Sequence, residues 1–154
     1  MRLCWSLTAL LALALGIVLY LFVVSGSVAP ASDGRTAILL APGERDLVLT
    51  EMRAFLQSTQ TIIASVSTSD LGAAAAAARQ VGAQAQQGVP ASLMGKLPIG
   101  FKTLGLDTHR RFDQLALNAE ELGDPAQTLQ ELGELMANCV GCHAAFRIDV
   151  DAGQ

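Results

Sequence analysis

The stretch "DPAQTLQELGELMANCVGCHAAFR", Asp124 to Arg147, carries the reading of the whole chain. It starts as a helix should. Asp124 is placed to cap the first turn, Pro125 fills the first helical position, where a missing N–H does no harm, and Gln127 is spaced to complete a capping box. Beyond the cap, Leu129, Leu132, Met136, Cys139, His143 and Phe146 recur at steps of three and four residues, so they share one face, with Cys142 just beside it. A single helix cannot hide such a face alone. Other helices must cover it, and two thiols and an imidazole go inward with it.

Three further segments have the matching pattern. From Pro42 to Ser67, the residues Val48, Met52, Phe55, Ile62 and Val66 make one buried stripe. "STSD" then supplies Asp70 as the cap of "LGAAAAAARQVGAQAQQ", a segment that Gly88 ends. Its run from Ala73 to Ala78 reads as a thin, closely packing helix, since alanine is the best helix former. "GVPASLMGKLPIGFKTLGLD" follows as a long connection, of the kind that packs over a site. A third helix begins after Asp107, with Phe112, Leu115, Ala119 and Leu122 inward, and Gly123 stops it. No run alternates with period two for long enough to form a sheet. The expected fold class is therefore all-α, a helix bundle over residues 42–154 with antiparallel neighbours.

The beginning of the chain is different. "CWSLTALLALALGIVLYLFVV", Cys4 to Val24, is uncharged, and only Arg2 precedes it among charged residues. About twenty apolar residues span roughly 30 Å, the thickness of a bilayer core. Residues 1–24 thus read as a signal peptide or a signal-anchor transmembrane helix. The apolar run exceeds the usual h-region and favours the anchor, while "SVAPA" would suit cleavage after Ala31. Residues 25–41, with "SGSVAPASDGR", read as a flexible tether. Either way the remainder is delivered to the periplasmic side of a bacterial inner membrane, anchored there or soluble after cleavage. That part holds every basic residue but Arg2 and all 14 acidic ones. A mildly acidic surface poor in aromatics excludes nucleic acid as a partner class.

Cysteine use narrows the chemistry. Cys139 and Cys142 are the only pair beyond the apolar segment, and a bridge over two residues would close almost no loop. A fold-stabilising disulfide is a poor explanation. Two thiols three positions apart can each form a thioether to a vinyl group on one haem edge, and the next residue, His143, then meets the iron. C-x-x-C-H is the signature of c-type attachment, and histidine is the usual proximal ligand. The cofactor expected is one covalently bound haem c per chain. A thioredoxin-like dithiol would want a mixed α/β fold, and a structural zinc site needs four ligands, for which Cys139, Cys142 and His143, crowded on one helical turn, and the distant His109 fit a tetrahedron badly. No catalytic constellation appears, because the serine, histidine and carboxylate residues are scattered and Asp113, Glu120 and Glu121 fall on an outer face. The chain does not read as an enzyme.

With the motif near the C-terminus on the last of four helices, followed by Phe146 and Arg147, the chain resembles class II cytochromes c, the cytochrome c′ group and its low-spin relatives. The resemblance runs over about Pro42 to Ile148 and, outside the motif, rests on helix layout. It implies an antiparallel up-down-up-down four-helix bundle, here preceded by the N-terminal hydrophobic helix. It also implies that Met52, on the first helix, is the sixth ligand as in low-spin members, and that Arg147 lies near a haem propionate. The plainer readings are a methionine packed in the core and an arginine set against the helix dipole. His109, opening the third helix, is the alternative sixth ligand, although the family pattern does not include it. The function expected is a one-electron carrier exchanging with membrane-bound or periplasmic redox proteins, with a homodimer left open. The alternatives are a five-coordinate haem protein that binds nitric oxide or another diatomic gas, and a non-catalytic accessory subunit of a membrane complex.

Overall fold

A computed structural model describes residues 2–151, with side chains from Trp5 onward; Met1 of the predicted leader and residues 152–154 of the predicted domain lie outside. Six α-helices and three short strands follow one another among the described residues. Helix α1, Arg2–Leu19, continues through a π-helical stretch, Tyr20–Ser25. The 21 residues Trp5–Ser25 have a mean hydropathy of 2.8 and none in the most apolar stretch is buried in the protein, so this helix is long and apolar enough to cross a membrane.

Four of the other helices pack around a common core. They are α2, Pro42–Ser67; α3, Leu71–Gln80; α5, Ile99–Leu122; and α6, Pro125–Ala145. Helix α2 packs on α3, α3 on α5, α5 on α6, and α6 back on α2. Phe55, Ile62, Phe112, Leu115, Leu132 and Leu135 fill the space between them. The alanine run works as expected: Ala74, Ala75, Ala77 and Ala78 are all buried, which lets the α2 and α3 backbones come close enough for Ser58 Oγ to donate to the Ala77 carbonyl at 2.6 Å. Asp70 caps α3 by accepting from Ala73 N–H at 2.9 Å, and Asp124 caps α6 by accepting from Ala126 and Gln127 N–H at 2.8 and 3.2 Å. Gln127 does not complete a capping box, because its side chain bonds Glu131 instead. Gly123, at φ +63°, ends α5 in the left-handed conformation.

Two helix boundaries differ from the sequence reading. Helix α3 stops at Gln80 rather than Gly88, because α5 takes over its C-terminal end. His109 Nδ1 donates to the Val81 and Gly82 carbonyls at 2.7 and 3.2 Å, and Asp113 accepts from Ala83 N–H, which starts a 3₁₀ turn, Ala83–Gln86. The long connection is also mostly helical. It forms α4, Ala91–Lys96, and then α5 from Ile99, directly after Pro98 at its N-cap, so this helix starts before Asp107 and His109 lies within it rather than at its opening. Gly100 marks close packing inside the helix: a Cβ there would stand 3.3 Å from the Phe146 ring.

A sheet is present where none was expected. Strands β1, Val28–Pro30, β2, Thr36–Leu40, and β3, Phe146–Val150, lie in the order β1-β2-β3. Val28 pairs antiparallel with Ile38, and Ile38 pairs parallel with Ile148. The stretch read as a flexible tether therefore holds two ordered strands. Ile38 and Leu40 are fully buried and form a second core with Val48, Leu93, Leu97 and Phe101. The parallel pairing joins segments about a hundred residues apart, so no local pattern announces it.

Candidate functional site

The two cores leave a cavity of about 830 Å³ between them, walled by α2, the segment before α4, α4 itself, α5 and the last turns of α6. That is within the roughly 300–1,000 Å³ typical of small-molecule and cofactor pockets. Its wall is mainly apolar. Leu47, Leu56, Leu106 and Met136 border it and stay 40–71% exposed, a large apolar surface left uncovered by the protein itself.

Five of the six residues singled out in the sequence border this cavity. Cys139, Cys142 and His143 come from α6, Met52 from α2 and His109 from α5. The apolar face expected on α6 divides in two. Thr128, Leu132 and Leu135 point into the helical core, whereas Met136, Cys139, Cys142 and His143 face the cavity, and Leu129 lies outside at 45% exposure. Asn138 holds this end of α6 to α5 by donating to Asp107 Oδ2 at 2.9 Å. That hydrogen bond and Arg111 keep the Asp107 carboxyl below its usual pKa.

Both thiols are half-buried and free. Burial pushes the Cys139 thiol up, and burial together with the neighbouring Cys139 pushes Cys142 up to about 11. Neither is an activated thiolate, and both sit near the C-terminus of a helix, the end whose dipole disfavours negative charge. Among the described residues no three His, Cys, Asp or Glu side chains converge as a metal-ion ligand set.

His109 is almost wholly buried at 1% exposure, stacked at a tilt on Phe55 with ring centroids 4.8 Å apart. Its Nδ1 faces two carbonyls, so that nitrogen carries the proton. Nε2 lies 3.0 Å from Glu51 Oε1, near enough for an ion pair but off the line of a proper hydrogen bond, which leaves it unsatisfied. Burial opposes protonation here, but the Glu51 carboxylate and the Val81 carbonyl outweigh it and raise the pKa. The residue ties α5 to the end of α3 and pairs with Glu51, a structural use that competes with metal ligation. Met52 is partly buried and packs against both cores.

Arg147 is not on the cavity wall. Helix α6 ends at Ala145, and the strand that follows turns Arg147 toward Asp149 at 2.9 Å and Asp33 at 3.4 Å. The cations on the wall are Arg53 and Lys102. Sequence reasoning also missed Arg35, whose Nη1 donates to the His143 and Phe146 carbonyls at 3.3 Å each, satisfying the end of α6 next to the motif. Asp33 holds Arg35 through three hydrogen bonds, accepting from its guanidinium at 2.7 and 3.0 Å and from its backbone N–H at 3.1 Å. The only signal for this pair was its position in a turn-rich stretch. No protein-family model, curated protein or solved structure matches this chain.

Proposed function

We propose that the protein is a monohaem c-type cytochrome, a one-electron carrier held at the periplasmic face of the membrane by its N-terminal helix, with the four packed helices in up-down-up-down order. One observation carries the reading: Cys139, Cys142 and His143 line a single large apolar cavity between the helices. The residues fit the group. The thiols are unpaired and next to the cavity, the imidazole is on the following residue, and the wall offers apolar contact for a flat ring. Arg53 and Lys102, rather than Arg147, are the cations that border the cavity, within the wall that propionates would meet. When bound, haem supplies a one-electron couple whose potential follows its axial ligands and burial.

The chain's part is to attach and orient. Cys139 and Cys142 would hold one edge through thioethers, and His143 would be presented by the α6 backbone that Arg35 and Asn138 hold at either side of the motif. Met52 faces the same cavity from α2 and is the sixth-ligand candidate favoured over His109, whose Nδ1 is tied to backbone and whose Nε2 adjoins Glu51. The gas-binding reading has its own support: Met52 is packed against both cores, and a sulfur occupied with packing leaves the sixth position open. Ferric and ferrous absorption spectra with added carbon monoxide separate the two. A sharp low-spin α-band unchanged by the gas supports the carrier, and a high-spin spectrum that forms the adduct supports gas binding.

A further inference from the structure

The last turn of the apolar helix does not end in a loose connection. Phe22 lies against Gly95 of α4, and the Val23 carbonyl accepts from Lys102 Nζ at 2.8 Å. Ser27 then donates its N–H to the Lys96 carbonyl at 2.7 Å and accepts from Leu39 N–H at 2.8 Å. Gly26, at φ +69°, makes this approach possible. A Cβ there would stand 2.5 Å from the Lys96 carbonyl oxygen and 2.7 Å from Pro98 N. Val28–Pro30 follow as the outer strand over β2, whose Ala37 and Ile38 are buried. Cleavage after Ala31 would take all of this away. The sheet would lose a strand, and the α4–α5 corner would lose its cover.

We propose that the apolar helix is retained in the mature protein and is docked rigidly on the α4–α5 corner, so that the cavity is held at the bilayer surface rather than carried on a swinging tether. Leu93, Leu97, Phe101 and Lys102 wall the cavity and belong to this same corner. The spanning stretch runs to Ser25. The corner it touches therefore sits where the apolar core of the bilayer gives way to headgroups. A protein partner that reaches the cavity from this side must itself be held in the membrane. The inference rests on the anchor part of the proposed function and is independent of haem.

The test uses full-length protein in washed bacterial membranes. Peptide mapping is expected to recover residues on both sides of Ala31 in one chain, and a mature N-terminus at Ser32 overturns retention. Carbonate extraction that releases the intact chain would instead sink the anchor reading, a separate result. Docking is read by broad-specificity proteolysis across residues 25–35. The native chain is expected to be cut at least tenfold more slowly than Gly26→Val. Phe22→Ala, which removes the ring without straining the backbone, is expected to fall between them. Equal rates for the native chain and Phe22→Ala, with cutting as fast as in an unfolded control, overturn the docking.

Discussion

Replacing Ile38 with alanine asks whether the segment before α2 belongs to the fold. Ile38 has no exposed surface, sits on the central strand between Val28 and Ile148, and packs with Leu40, Val48, Leu93, Leu97 and Phe101. Its neighbours come from a sheet and three helices anchored elsewhere, so they cannot collapse freely into the space left. Substitutions of this kind cost about 2–5 kcal/mol, and a site so enclosed belongs near the middle, about 3 kcal/mol. For a domain of this size that lowers the melting temperature by roughly 9–12 °C. Leu129→Ala, at a position 45% exposed on α6, is the control, with an expected change under about 0.5 kcal/mol. Thermal unfolding followed by far-ultraviolet circular dichroism measures both. If Ile38→Ala melts within about 2 °C of the parent, the second core is not formed as described.

Other consequences follow from single contacts. Asp124→Ala removes the acceptor for two N–H groups at the start of α6 and should cost about 1 kcal/mol, seen as a melting shift of roughly 3 °C; an unchanged melt would contradict the cap. The Arg35 side-chain and backbone hydrogen bonds lower the Asp33 carboxyl from 3.8 to about 2. Because its folded value is depressed, its contribution is present above the ordinary carboxylate pKa and is lost as pH falls toward 2. Carboxyl carbon NMR should find a midpoint near 2 that returns toward 3.8 in Arg35→Gln, and a native midpoint near 3.8 would exclude the pairing. Met52→Ala should convert a low-spin ferrous spectrum to one that binds carbon monoxide, whereas an unaltered low-spin spectrum would point to His109 or another ligand.

The helices were legible because their signals are local. Caps at Asp70 and Asp124, the stop at Gly123 and the stripe from Val48 to Val66 each involve residues within a few turns of one another. The sheet was not, since β1 has three residues, β2 is buried on most of its length, and β3 joins it from the far end of the chain. A short apolar run such as "AILL" cannot be told from a helix fragment by periodicity. The same limit applies at the site. Cys139, Cys142 and His143 are read from one pentad, but Arg35 reaches the motif from 108 residues away. Arg147 went the other way: a helix extended by two residues would have carried it along α6, and the switch to strand at Phe146 turns it toward Asp33 and Asp149.

The most direct measurement is the mass of the peptide containing Cys139 to His143, from protein made in a host able to assemble cytochromes, together with a pyridine haemochrome spectrum of the same sample. One haem per chain is expected, attached to that peptide through both sulfurs. A colourless protein whose peptide has its unmodified mass and two reactive thiols would contradict the assignment at its centre.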